Sequence, residues 1–69
     1  MPIRIDKKNE VSVREQIRQQ VIFGIATGEY LPGHEMPSRK VLARQLGINP
    51  NTVGAAYTEL AKKRWLAQQ

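Results

Sequence analysis

Leu46-Gly47-Ile48-Asn49-Pro50 stops one helix and starts another within five residues. Gly47 stands where a left-handed residue ends a helix. Ile48 is an apolar plug for the turn. Asn49 is a good N-cap, because its side-chain oxygen can accept from the orphan amides of a first turn. Pro50 follows at the first helical position, where its missing N–H costs nothing and its fixed φ suits a helix. This punctuation makes residues 37–66 two helices joined by a tight turn, and the rest of the chain is organised around them.

The helix after the turn is expected over about 50–63. Val53, Ala56, Tyr57 and Leu60 recur at i, i+3, i+4, i+7 and form one apolar face. The opposite face holds Asn51, Ala55, Thr58 and Lys62, flanked by Thr52 and Gly54. A solvated helix usually carries long charged residues there. This one has small and amide side chains towards its N-terminal end and lysines behind them. Such a face suits close approach to a surface bearing hydrogen-bonding groups and negative charge. The helix before the turn is expected over 38–46, capped by Ser38. Leu42, Ala43 and Leu46 form its buried side, and Lys40 and Arg44 lie one turn apart opposite them. Helix, glycine-containing turn and helix is the helix-turn-helix arrangement, whose second helix enters the DNA major groove. An ordinary antiparallel helix pair in a small core has a similar pattern.

Charge separates the two readings. Residues 1–35 balance Arg4, Lys7, Lys8, Arg14 and Arg18 against Asp6, Glu10, Glu15, Glu29 and Glu35. Residues 36–69 set Arg39, Lys40, Arg44, Lys62, Lys63 and Arg64 against Glu59 alone, so the whole net charge of +5 sits on the helix pair and its tail. Asymmetry of this kind is the electrostatic footprint of a polyanion binder.

Upstream, Ile3-Arg4-Ile5 alternates as a short strand does, and Asp6 to Val11 reads as a loop. Ser12 and Glu15 match a capping box, S-x-x-E. A helix then runs over about 13–27, with Ile17, Val21 and Ile25 towards the core. Ile22 and Phe23 broaden that face or contact a neighbour, and Arg14, Gln16, Arg18, Gln19 and Gln20 are solvated or edge positions. Gly28 ends the helix. Pro32-Gly33 fits the centre of a type II turn, and Glu35-Met36 extends briefly before Pro37. His34 reads as a surface residue. After the third helix, Trp65-Leu66-Ala67 looks like the start of a strand, with Trp65 as a core or sheet plug. One core of Ile17, Val21, Ile25, Leu42, Leu46, Val53, Tyr57, Leu60 and Leu66 is expected.

With 69 residues the chain is one small domain, of a size that often gains stability from dimerisation or ligands. There is no cysteine, which excludes disulfides and thiolate metal sites and is compatible with a reducing cytoplasm. A lone His34 makes no metal site. No run approaches membrane-spanning length, and MPIRIDKKNE is no signal peptide. No phosphate loop, metal cluster or nucleophile–base pair can be assembled. No enzyme, cofactor or metal is therefore expected.

The stretch TGEYLPGHEMPSRKVLARQLGINPNTVGAAYTELAKKRWL resembles the DNA-binding domain of GntR-type bacterial transcription regulators. The shared outline is carried by Gly28, Leu31, Pro32, Gly33, Pro37, Ser38, Leu42, Ala43, Leu46, Gly47, Thr52, Val53, Tyr57, Leu60 and Leu66. INPNTV, AYTEL, the opening I-x-I and R-E-Q-I are similar to the YtrA branch. The resemblance implies a mainly α fold, a winged helix-turn-helix with a short, truncated β wing. Residues 1–69 form that domain, with 1–11 an N-terminal arm carrying a short strand, 12–66 the helical core, and the wing incomplete after 66. It implies a cytoplasmic regulator, a repressor acting as a homodimer on a palindromic double-stranded DNA operator. Full-length members carry a further C-terminal domain, so the chain is expected to be either a piece of a longer regulator or a minimal one. The rival is a small helical protein-interaction module, or an accessory protein of a mobile element, that keeps the fold.

Lys40 stands where the family commonly has a DNA-touching arginine. Asn49, Asn51, Thr52 and Gly54 stand at positions that commonly meet bases or phosphates. Pro50 replaces a frequent arginine, and Arg64 the usual glycine after the recognition helix. The base-reading set expected is Asn49, Asn51, Thr52, Gly54, Ala55 and Thr58, and the phosphate-binding set is Ser38, Arg39, Lys40, Arg44 and Lys62.

Overall fold

The structure is a computed structural model, and it describes residues 3–30 and 36–66. Three helices follow one another: α1 (Val13–Ala26), α2 (Arg39–Leu46) and α3 (Pro50–Lys62). Each lies within a residue of the range expected from sequence. The expected turn at Pro32-Gly33, His34, Glu35 and any wing beyond Leu66 lie outside the described residues.

Helix starts are set by short polar caps. The hydroxyls of Ser12 and Ser38 accept from Glu15 N–H and Val41 N–H, both at 3.2 Å, and Asn49 Oδ1 accepts from Asn51 N–H at 2.8 Å. The capping box at α1 is only half made. The Glu15 carboxylate turns to Arg18, at 2.5 Å, rather than back to Ser12. That hydrogen bond, with the guanidinium charge behind it, holds the Glu15 pKa below its ordinary value.

α3 is the central element. It packs on α1 and on α2, whereas the backbones of α1 and α2 do not pack directly on each other. Ile17 and Val21 from α1, Leu42 and Ala43 from α2, and Val53, Ala56 and Leu60 from α3 form the buried cluster. Ile25, Leu46, Tyr57 and Leu66 are half-buried around it. Burying an aliphatic side chain contributes roughly 1.5–3 kcal/mol, so this cluster is the main cohesive element. Tyr30, which the sequence pattern left in a loop, is also buried. Its ring rests on the backbone of Gly24, where a Cβ would come within 2.5 Å of it.

Two strand expectations are corrected. Ile3-Arg4-Ile5 forms no strand, because its backbone pairs with side-chain amides of α1. Arg4 N–H donates to Gln20 Oε1 at 2.9 Å, and Gln20 Nε2 donates back to the Arg4 carbonyl. Gln16 makes the same two-way pairing with Asp6 and also donates to the Val11 carbonyl. Gln16 and Gln20 are therefore clamps rather than simply solvated positions. A primary amide offers the same donor and acceptor as a peptide group, so two glutamines stand in for a neighbouring strand.

Trp65-Leu66 begins no strand among the described residues, and Trp65 is exposed. Phe23 too is 59% exposed rather than part of the core face.

The reason at Trp65 is the end of α3. Trp65 N–H donates to the Leu60 carbonyl at 2.9 Å and Arg64 N–H to the Ala61 carbonyl at 3.0 Å, the paired bonds of a Schellman cap. α2 closes the same way, with Ile48 N–H on Ala43 and Gly47 N–H on Arg44. That cap needs a left-handed residue. Gly47 supplies it at φ 67°, and at α3 Arg64 supplies it at φ 65°. For a residue with a Cβ that conformation costs about 1–2 kcal/mol. Arg64→Gly should therefore raise the unfolding free energy by about 1 kcal/mol, seen as a higher urea midpoint at unchanged slope. An unchanged or lower midpoint would show that the arginine side chain offsets the strain.

Candidate nucleic-acid interface

Since α3 turns Val53, Ala56 and Leu60 inward, helical geometry turns the opposite stripe outward. Asn51, Ala55, Thr58 and Lys62 are all exposed. Thr52 is half-buried on the flank facing α1, and Gly54 is buried on the flank facing α2. Asn49 is exposed, but its Oδ1 is committed to capping. Ser38, Arg39, Lys40 and Arg44 are exposed on α2.

Of the expected base-reading and phosphate-binding residues, all but Thr52 and Gly54 are therefore exposed, and Arg39 lies close to α3 at Gly54. Gly54 differs from its companions. It lies beneath Arg39, where a Cβ would meet Arg39 Cδ at 2.9 Å.

Neither α2 nor α3 has an acidic residue in its first turn. Each helix start carries a partial positive charge that an acidic side chain would ordinarily complement. Here Arg39 and Lys40 add positive charge at one of those ends instead. Glu59 is half-buried rather than on the exposed stripe, and it is close enough to raise the Arg18 pKa beside the larger influence of Glu15. The exposed stripe of α3 therefore carries no carboxylate.

An open groove of about 530 Å³ runs between the start of α1 and the outer face of α3, lined by Ser12, Val13, Arg14, Asn51, Thr52 and Ala55. Arg14 thus borders the site, a placement that its edge position on α1 alone did not indicate. The N-terminal arm reaches the site as well. Lys7 Nζ donates to the Gly47 carbonyl at 2.7 Å, placing a cation on the turn between α2 and α3. Among the described residues no cluster of His, Asp or Glu could hold a metal ion, and no helix is long and apolar enough to cross a membrane.

Among the described residues, packing and a polar link hold α3 against the start of α2. Tyr57 Oη donates to the Pro37 carbonyl at 2.8 Å, next to the Ser38 cap. Burial is the main cause that pushes the phenol pKa up to about 12, with Tyr30 adding to it.

The chain resembles known proteins over most of its length. The model of the bacterial regulatory proteins of the gntR family matches residues 13–69. The HTH-type transcriptional regulator Rv1152 of Mycobacterium tuberculosis is 43% identical over 58 residues, 84% of this chain and 48% of that protein. The HTH-type transcriptional repressor YtrA of Bacillus subtilis is 39% identical over 61 residues, 88% of this chain and 47% of that protein. The chain thus spans about half the length of these relatives. Among solved structures, YtrA from Sulfolobus acidocaldarius, a GntR-family transcription factor, superposes with a TM-score of 0.91 at 38% identity. That match covers 100% of this chain and 73% of the other.

The Tyr57 link can be tested separately from binding. Tyr57→Phe should cost about 0.5–1.5 kcal/mol in urea unfolding at neutral pH, as loss of one hydrogen bond does. The folded phenol keeps its proton up to about pH 12, against an ordinary value of 10.0. The folded state therefore holds a proton that the unfolded state releases between those values, and stability falls with rising pH across that window. In Tyr57→Phe that part of the alkaline loss should disappear. An equally steep loss in the variant would place its origin elsewhere.

Proposed function

This chain belongs to the GntR family of bacterial regulatory proteins, and we propose that it reads double-stranded DNA sequence-specifically, as the DNA-binding domain of a cytoplasmic repressor that acts as a dimer on a palindromic operator. The observation that carries the reading is the outer stripe of α3. It is free of carboxylates, small and amide-bearing near its N-terminus and ends in Lys62, while Lys40 and Arg44 are exposed on the neighbouring α2. Repression is supported by the name of the Bacillus subtilis relative, the transcriptional repressor YtrA. Dimeric action on a palindrome is the general habit of helix-turn-helix regulators, whose two-fold symmetry the operator mirrors.

α3 enters the major groove N-terminus first. Asn51 offers a bidentate amide that matches adenine, and the methyl of Thr58 can meet the methyl of thymine. Ala55 keeps the stripe low between them. Asn49 and Thr52 stand at the leading end. Lys40, Arg44 and Lys62 meet phosphates, helped by the free amides at the start of α2 beside Ser38.

Two measurements separate these roles. Lys40→Ala should weaken binding to operator and random duplex alike, and reduce the slope of log affinity against log salt by about one unit. If only specific binding fell, at unchanged slope, Lys40 would not be a phosphate contact. Asn51→Ala should cost about 1–3 kcal/mol on the preferred site and relax selection at one base pair per half-site. Selection from random duplex DNA reads this directly. An unchanged preferred sequence would move base reading away from Asn51. Should the wild-type chain show no salt-dependent DNA affinity at all, the protein-interaction reading of the same fold would replace this one.

A further inference from the structure

We infer that Arg39 is a base-reading residue, its guanidinium carried onto the recognition face of α3 across Gly54. The inference rests on the reading of α3 as the helix that enters the major groove. The sequence pattern grouped Arg39 with the phosphate contacts beside Lys40, but its placement in the fold sets it apart.

Gly54 is where the argument starts. It lies inside α3, where glycine costs about 1 kcal/mol relative to alanine. Its backbone does not require glycine, because the positive-φ glycines of the described residues are Gly28 and Gly47. What glycine provides is space. A Cβ at position 54 would lie 2.9 Å from Arg39 Cδ, 3.0 Å from Arg39 Nη1 and 3.8 Å from Arg39 Cζ. Stem and head of the arginine thus both lie close to α3 at Gly54.

Nothing else in the described chain accounts for that placement. Arg39 occupies the first position of α2, the end of a helix that disfavours a cation, and no acid shares that first turn. The ion pair among the described residues is Arg18–Glu15, and it does not involve Arg39.

The position it occupies matters. Gly54 is three residues after Asn51 and four before Thr58, so the three lie along one side of the helix. A guanidinium resting at Gly54 stands beside the two side chains already assigned to bases. Its planar fork matches guanine N7 and O6 bidentately, which an ammonium cannot reproduce. The chemistry recognised is therefore the major-groove edge of a G·C pair next to the base pair read by Asn51. Position 54 acts as a gate, since any side chain there would displace the arginine.

Selection from random duplex DNA, followed by titration of the selected site and of a random duplex, tests this with the full chain. The proteins are wild type, Arg39→Ala, Arg39→Lys, Gly54→Ala and the Arg39→Ala/Gly54→Ala double variant, each checked for folding by thermal melting. Wild type should select a guanine in each half-site. Arg39→Ala should lose about 10- to 100-fold on that site but little on random duplex, with preference relaxed at the guanine alone. Arg39→Lys should not restore it. Gly54→Ala should relax the same position and have no further effect in the Arg39→Ala background. Replacing the selected guanine with 7-deazaguanine should weaken wild type and leave Arg39→Ala unaffected.

An equal loss on specific and random DNA, with the selected sequence unchanged, would return Arg39 to the phosphates and overturn the inference. A further loss from Gly54→Ala in the Arg39→Ala background would show that the glycine serves the DNA directly, and would overturn the gating role. If wild type selects no sequence, the premise itself fails, and Arg39 with it.

Discussion

The packing of one stripe of α3 on both other helices is the constraint from which the rest follows. Val53, Ala56 and Leu60 are buried against Ile17 and Val21 on one side and Leu42 and Ala43 on the other. α1 and α2 meet through α3, so its rotation about its own axis is held from two directions. Rotational freedom is what a reading helix must lose. With the inner stripe held, Asn51, Ala55 and Thr58 have one direction left, outward. Core and candidate site are therefore two faces of a single helical period, and a change in core volume would turn the exposed stripe as well as weaken the fold.

The charges follow the same division. α1 keeps its carboxylate satisfied internally, with Glu15 on Arg18, and Glu59 acts on that same arginine. α2 and α3 leave their starts without acids and place arginine, lysine and amides there. This arrangement forgoes the helix-dipole stabilisation that acidic first turns supply, about 0.3–1 kcal/mol each. Departures from the locally best choice concentrate where a function is expected. Gly54 inside α3 is a third departure, and Arg39 lies over it.

Among the described residues, the stretches before α1 and after α3 are held by polar detail rather than by sheet. Gln16 and Gln20 pair with the backbone of the N-terminal arm, and Lys7 reaches the Gly47 carbonyl. The arm is thus fastened to α1 while one of its cations lies at the turn between α2 and α3. At the other end, Arg64 takes the left-handed position of a Schellman cap. A positively charged residue there sets a modest backbone strain against one more cation beyond the lysine end of α3.

Local pattern determined the three helices, their caps and the exposed stripe of α3. Period, N-cap chemistry and Gly47-Ile48-Asn49-Pro50 are all properties of neighbouring residues, and they survive without knowledge of the fold. The exposure of the candidate residues was legible for the same reason, because Asn51, Ala55 and Thr58 need only one helix to share a face, and Lys40 and Arg44 only another. What depended on distant residues was not legible. The arm reads as a strand by alternation, but its hydrogen bonds go to glutamines 10 and 16 positions away. Trp65 reads as a plug by hydrophobicity, but the cap at Arg64 leaves it exposed. The closeness of Arg39 to Gly54, of Tyr30 to Gly24 and of Tyr57 to Pro37 carries no signature in spacing. These contacts exist only once burial of Val53 and Leu60 has brought the helices together, and only the tertiary structure decided them.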